Sequence, residues 1–268
     1  MEEIKNIFKL NNLSYSYPYE EAVLCNINLN ITNGEKICIL GTNGSGKSTL
    51  LKILCGLVHQ QEGKFWAFGA EIDKKTFTDN NFLKEYHKNV GFIFQNSDAQ
   101  LFCSTVEEEI AFGPLQLGLQ AGEVQGRIND VLNLLNIQHL KNKTPFKLSG
   151  GEKKKVALAA ILVLNPKVLI LDEPTNGLDP KTQRWLVELL IGLNNSGKTI
   201  ITSTHNLELV QEISDRSIVL DESHKIAMDS TTKEVFSNIE FLMKINLIDE
   251  FYHRHSESNH AHYHIHNY

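Results

Sequence analysis

The run Gly41-Thr42-Asn43-Gly44-Ser45-Gly46-Lys47-Ser48 fits the spacing G-x-x-x-x-G-K-[ST]. Each fixed residue type has a physical task at a phosphate. Glycines let the backbone wrap with its N–H groups pointing inward, and a helix starting at the end of the loop adds partial positive charge. Lys47 would reach the β- and γ-phosphates of a nucleotide, and the Ser48 hydroxyl would ligate Mg2+. The plain alternative is a glycine turn with an exposed lysine. That alternative does not require the flanks found here, an apolar run from Ile37 to Leu40 directly before the loop and a helical pattern from Thr49 after it.

Three further segments carry groups that chemistry at a triphosphate can use. Val168 to Leu171 is a continuous apolar run that ends in Asp172 and Glu173. At a strand end beside the loop, Asp172 would hold Mg2+ through water and Glu173 would polarise the attacking water as general base. Otherwise the two acids are helix caps. Leu148-Ser149-Gly150-Gly151-Glu152 opens a second helix, with Ser149 as its N-cap and paired glycines exposing backbone N–H groups. It is either a capped loop or a second phosphate cradle. A cradle without its own lysine has little use within one active site and a clear use over a γ-phosphate held by another copy of the chain. The third segment, Thr199 to Thr204, ends in His205. That histidine is either structural or placed to hydrogen-bond the γ-phosphate.

Strands alternating with helices must position these groups. Ile37 to Leu40, Val168 to Leu171 and Thr199 to Thr202 are continuous and apolar, as expected of parallel strands buried on both faces. Helical patterns from Ser48 to Cys55 and from Val156 to Leu164 lie between them, so the fold class is α/β with right-handed crossovers. Ile7 to Leu13 and Leu24 to Ile31 read as strands, and Asn33-Gly34 reads as a tight turn, which together suggest an antiparallel β layer. From about Asn96 to Leu148 strand runs vanish, while Val106 to Phe112 and Ile128 to Leu135 show helical spacing, as in a helical insertion. The core pattern ends near Ser230. A short amphipathic segment follows, with Val235, Phe236, Phe241, Leu242 and Leu247, and then the low-complexity stretch His253 to Tyr268, which holds six of the eleven histidines.

The chain has 268 residues, 41% hydrophobic and 22% charged, which is ordinary globular composition and excludes wholesale disorder or a fibre. A formal net charge of -6 removes the simplest argument for binding nucleic acid. No apolar stretch approaches the roughly 20 residues that span a bilayer. Met1-Glu2-Glu3-Ile4-Lys5 does not read as a signal peptide. Cys25, Cys38, Cys55 and Cys103 form no CxxC pair and read as small hydrophobes in a reducing compartment.

In combination these motifs resemble the nucleotide-binding subunit of an ABC transporter, over residues 7–235. The resemblance implies a P-loop NTPase core with an antiparallel β subdomain and an inserted helical subdomain at about 96–158. It implies an ATP site made of Gly41, Thr42, Asn43, Gly44, Ser45, Gly46, Lys47, Ser48 and Thr49 (the Walker A loop and the residue after it). Tyr17 would stack on the adenine, with Tyr15 and Tyr19 as local rivals. Gln95 would contact Mg2+, alongside Ser48 and Asp172, and would also contact a transmembrane partner. Lys47, Glu173 and His205 would be the catalytic set, and Asp179 the aspartate of the D-loop. Ser149, Gly150, Gly151 and Glu152 would act on the nucleotide of a second copy, with Glu152 where many members have glutamine. Two copies would sandwich two ATP molecules, so that a monomer hydrolyses poorly. The basic run Lys153-Lys154-Lys155 reads as a solvated helix face.

The segment from Phe92 to Phe102 and the run Thr105 to Pro114, with its Phe-Gly-Pro ending, are similar to energy-coupling-factor ATPases, which power uptake of vitamins or of cobalt and nickel ions. That implies a peripheral position on the cytoplasmic face of the membrane. It also implies an integral coupling subunit, a substrate-binding membrane subunit, and either a homodimer or a pair with a second ABC ATPase. The tail offers His253, His255, His260, His262, His264 and His266. Alternate imidazoles at His260, His262, His264 and His266 can chelate Ni2+, Co2+ or Zn2+, which would suit cobalt or nickel import. The plain alternative is a polar tail with no ligand. Three other readings stay open: a vitamin importer with two different ATPases, a soluble ABC-type ATPase acting on DNA or ribosomes, and a metal-storage protein with a vestigial ATPase.

Overall fold

The computed structural model describes residues 6–19 and 21–248. The described elements, in chain order, begin with β1 (Asn6–Ser16), β2 (Ala22–Thr32), β3 (Lys36–Leu40), α1 (Lys47–Leu54), β4 (Glu62–Ala67), β5 (Ala70–Ile72) and α2 (Asn80–Asn89). Next come β6 (Val90–Ile93), α3 (Val106–Gln116), α4 (Ala121–Leu134), α5 (Gly150–Leu162), β7 (Val168–Asp172) and α6 (Pro180–Asn195). The last are β8 (Thr199–Ser203), α7 (Leu207–Ile213), β9 (Arg216–Leu220), β10 (Ile226–Thr231), α8 (Thr232–Ser237) and α9 (Ile239–Lys244).

Two sheets form. One is antiparallel in the order β2-β1-β4-β5, and the other runs β10-β9-β3-β8-β7-β6 with only the edge strand β10 antiparallel to its neighbour. The alternating inward residues of β1 and β2 (Phe8, Leu10, Leu13, Ile27, Ile31) pack against Ile37 and Ile39 of β3, Ile170 of β7 and Leu50 of α1. The period of two sends the neighbouring residues of β3 and β7 to the opposite face. There Leu169 and Leu171 meet α3, α4 and α5 through Ile110, Val131 and Leu158, while Cys38 and Leu40 meet Val210, Val235 and Leu242. The central strands are therefore buried on both faces, which is why they read as unbroken apolar runs. Burying each Leu or Ile contributes about 1.5–3 kcal/mol.

The Asn33-Gly34 turn is present, with Gly34 at φ 79, but it does not close a hairpin. β2 belongs to the antiparallel sheet and β3 to the parallel one. Ile37 to Leu40 are all fully buried and need cover on both faces, which the half-exposed antiparallel layer cannot give. Arg216 ties the two sheets together: it donates to Asn30 O at 2.9 Å and pairs with Glu35 and Asp229 at 3.1 and 2.7 Å. After β10, the two short helices α8 and α9 fold back so that Val235 and Leu242 close the core beneath β3. Cys38 and Cys55 are buried and Cys25 and Cys103 partly so, all four as free thiols; burial pushes Cys38 up to about 12. Among the described residues no helix is long and apolar enough to cross a membrane.

Candidate functional site

Parallel strands that lie side by side deliver their carboxyl ends to one edge, and open α/β sheets bind ligands there. β3, β8 and β7 are adjacent, with Ile39 beside Ser203 and Asp172 beside Ser203, and β6 flanks β7 through Ile93 and Leu171. The loops leaving these ends bring Gly41, Thr42, Asn43, Gly44, Gly46, Lys47, Ser48, Thr49, Gln95, Glu173 and His205 around one cavity of about 700 Å³. Residues separated by more than 160 positions thus converge because four strands share one edge.

The loop from Gly41 to Ser48 turns through left-handed backbone that its glycines permit. At Gly46 (φ 104) an added Cβ would sit 2.4 Å from Val23 O and 2.8 Å from a Leu24 methyl, whereas at Gly44 (φ 84) it would meet nothing within 4 Å. Gly46 is packed against β2 and Gly44 faces open space, as a backbone lining a ligand must. Gly46→Ala is accordingly expected to cost about 2–4 kcal/mol, from left-handed strain plus the clash. A chemical denaturation curve, with ATP binding measured alongside, checks it.

Lys47, at the start of α1, curls back over the loop and donates to Gly41 O and Thr42 O, both at 2.9 Å. Burial lowers its pKa, while Glu173 and Asp172 act in the opposite direction. Both hydrogen bonds go to carbonyls of the loop itself, so the cation is stored at the cavity wall with no carboxylate among the described residues in ion-pair contact with it. The Ser45 hydroxyl is buried under the loop with no hydrogen-bond partner among the described residues.

Glu173, just past the end of β7, holds a left-handed backbone (φ 43) that is rare for a residue with a side chain and costs about 1–3 kcal/mol. Its N–H is fixed by Ser203 O at 3.0 Å and Ser203 Oγ at 3.2 Å. Its Oε2 lies 2.9 Å from His205 Nδ1 and accepts from His205 N at 3.4 Å. The carboxylate is largely buried while the imidazole stands mostly in solvent. Asp172, one residue earlier, accepts from the Ser203 hydroxyl and does not line the cavity. Ser48, Gln95 and Asp172 supply oxygen donors only, a set that suits a hard cation such as Mg2+. Among the described residues no cluster of three or more His, Cys, Asp or Glu side chains is placed to hold a metal. His260, His262, His264 and His266 lie outside the described residues.

The structure does not bring every expected residue to this cavity. Ser149, Gly150, Gly151 and Glu152 are not among its lining residues. Ser149 caps α5 by accepting from Glu152 N at 3.3 Å, and the Glu152 carboxylate accepts from Ser149 N at 2.8 Å in return. Those hydrogen bonds hold the Glu152 carboxyl below its usual range. Gly150 borders a smaller cavity of about 130 Å³ that it shares with Gln95, Lys153, Lys154, Asn176 and Gly177. Asp179 caps α6, accepting from Thr182 N at 3.0 Å and from the Thr182 hydroxyl at 2.6 Å. Tyr17 is near the large cavity without lining it: its hydroxyl is 3.4 Å from Thr49 Oγ1, and Tyr15 packs edge-on against its ring. Tyr19 is fully exposed.

One sequence expectation fails outright. Lys153-Lys154-Lys155 is not a solvated face. Lys154 is 2% exposed, Lys153 pairs with Asp98 at 2.6 Å, and Lys155 lies 4.5 Å from the centre of the Trp185 ring. Sequence reading also missed Val23, Asn176, Asn246 and Leu247, which line the large cavity. Asn176 was within reach, three residues after Glu173 in the same loop. Asn246 and Leu247 carry no local signal and arrive only because α9 folds back.

Comparison with known proteins bears on this arrangement. The family profile described as ABC transporter matches residues 24–176. The nickel import ATP-binding protein LarO of Lactiplantibacillus plantarum is 42% identical over 229 residues, which are 85% of this chain and 95% of that protein. The energy-coupling factor transporter ATP-binding protein EcfA of Methanocaldococcus jannaschii is 43% identical over 243 residues, 90% of this chain and 85% of that one. Among solved structures, cbiO1 from Clostridium perfringens, described as part of the ABC transporter complex cbiONQ, superimposes with a TM-score of 0.78. It is 36% identical, with 91% of this chain and 95% of that chain covered.

Proposed function

The chain belongs to the ABC transporter family as an ATP-binding subunit whose ATPase is coupled to transport, and from that premise we propose that it powers an importer of the energy-coupling-factor type. The observation that carries this is the single cavity in which the Gly41–Thr49 loop, Gln95, Glu173 and His205 meet. Loop N–H groups and Lys47 hold the β- and γ-phosphates, and Thr49 extends the contact toward the α-phosphate. Glu173 takes the proton of the attacking water, and its fixed backbone keeps the carboxylate in place. His205, hydrogen-bonded to Glu173, reaches the γ-phosphate from solvent. Ser48, Gln95 and Asp172 are the residues that would hold Mg2+, which when bound neutralises charge building on the phosphates. Tyr17, whose hydroxyl is 3.4 Å from Thr49 Oγ1, would stack on the adenine.

Two chains act together. The Ser149–Gly151 cradle does not line the chain's own large cavity and would complete the site of a second ATPase, with Asp179 at the same junction. ATP turnover per chain should therefore rise with protein concentration as pairs form. A sample held monomeric by dilution, with its mass confirmed by light scattering, should turn over at least about tenfold more slowly than the dimer. Equal rates per chain would contradict shared sites.

The partners are an integral coupling subunit and a substrate-binding membrane subunit, met on the cytoplasmic face. Supporting this are exposed aromatics: Phe94, next to Gln95 in sequence, and Phe102 and Phe112, which are in edge-to-face contact at 5.0 Å. Exposed apolar clusters of this kind mark interaction surfaces. The cargo we assign is nickel or cobalt, on the strength of the nickel import relative and of the histidine-rich sequence from His253 to His266, which would bind the same ions.

A further inference from the structure

Resting on the nucleotide-site reading above, we propose that Lys154 is a positioning residue that fastens the loop of Gln95 to the helix whose start is the Ser149–Gly151 cradle, so that the chain's own nucleotide site and the surface completing its partner's site move as one piece.

Lys154 sits in the second turn of α5, five residues after Ser149 and so about 7.5 Å along the axis. Its ammonium donates to Phe94 O at 3.1 Å and to Gln95 O at 3.3 Å. The residue is 2% exposed. A lysine is almost never buried that deeply unless its charge is satisfied, and here the partners are the two backbone carbonyls of the loop whose side chain lines the large cavity. Lys153 adds a second clasp on the same loop through Asp98 at 2.6 Å. The smaller cavity between them is walled by Gln95, Asp98, Gly150, Lys153, Lys154 and Asn176, and Gln95 and Asn176 belong to both cavities. At the other end, the reciprocal hydrogen bonds between Ser149 and Glu152 make the first turn of α5 rigid. A displacement of Gln95 at a nucleotide therefore passes through two hydrogen bonds and a stiff helix turn to Ser149 and Gly150. Among the described residues the hydrogen bonds and ion pairs of Lys153 and Lys154 reach Phe94, Gln95 and Asp98 and not the Gly41–Thr49 loop, so the phosphate contacts of that loop should persist without the clasp.

The test compares the full-length wild type with Lys154→Met, which keeps the length and removes both hydrogen bonds, and with Lys154→Arg, which keeps donors. ATP affinity in the presence of Mg2+, steady-state turnover and the thermal midpoint are measured on each, with Glu173→Gln as reference. The expected result is a loss of turnover of about tenfold or more in Lys154→Met with ATP affinity within about threefold of wild type, and recovery of most turnover in Lys154→Arg. Unchanged turnover in Lys154→Met overturns the inference. So does a loss that tracks weaker ATP binding and a lower midpoint without rescue by arginine, since that is a structural role only. Full turnover in Glu173→Gln would instead overturn the nucleotide-site reading beneath it.

Discussion

Glu173→Gln is expected to lower ATP turnover by about 10²- to 10⁴-fold, the range for removing a general base, while ATP binding stays within a fewfold of wild type. The substitution keeps the size of the side chain and an oxygen that can still accept from His205 N, so the cavity should keep its shape. What it removes is the capacity to take a proton. The left-handed backbone at Glu173 argues that this carboxylate is held for a purpose: a glycine would relieve the strain, and two hydrogen bonds from its N–H to Ser203 keep it in place. Rapid-quench turnover and equilibrium ATP binding on the same preparation separate the two effects. Retained turnover would remove Glu173 as the general base, and with it the reading of this cavity as the site of hydrolysis.

Lys47→Met should act on the other parameter. Each hydrogen bond from a charged donor contributes about 1.5–3 kcal/mol, so losing the ammonium at the phosphates should weaken ATP binding by about 10- to 150-fold and lower turnover further. Lys47 now spends its donors on Gly41 O and Thr42 O. Those carbonyls border the cavity, so the same cation is able to turn outward to an arriving phosphate. Methionine fills the same space but leaves Gly41 O and Thr42 O without their donor, so the thermal midpoint without nucleotide should fall, and the affinity is compared at a temperature where both proteins are folded. Calorimetric titration with ATP and Mg2+ gives the affinity directly, and an affinity equal to wild type would remove Lys47 from the phosphate site.

The three strands that carry the chemistry were legible because burial on both faces makes them continuous apolar runs. β3, β7 and β8 each show every apolar position buried. β6 and β9 are almost as buried and escaped notice because they are short or open on polar residues, while β10 lacks such burial. β6 is four residues long, β9 begins at Arg216, and β10 is an edge strand whose residues alternate between half-buried and exposed. The Asn33-Gly34 turn was visible, but no local rule says that the next strand belongs to a different sheet. The lysine run failed through geometry. Consecutive helical residues point about 100° apart, so three lysines in a row cannot share one face, and the middle one points inward to the loop of Gln95. Compositional reading of a charged run has no access to that loop. The phosphate loop could be read because its demands are local, a turn, a lysine and a helix start. Asn246 and Leu247 could not, since their place in the cavity depends on the packing of Leu242 beneath β3 more than two hundred residues away in sequence.

The central claim, that this ATPase drives a membrane importer, is tested most directly by tagging the chain at its N-terminus, extracting it from its host's membranes in mild detergent, and identifying the chains that copurify. The account predicts an integral membrane coupling subunit together with a small substrate-binding membrane subunit, and no second ATPase if the cargo is a metal ion. A different ABC ATPase in the complex would favour the vitamin-type arrangement over the metal reading. Recovery of soluble partners alone, of ribosomes or of DNA would contradict the importer itself.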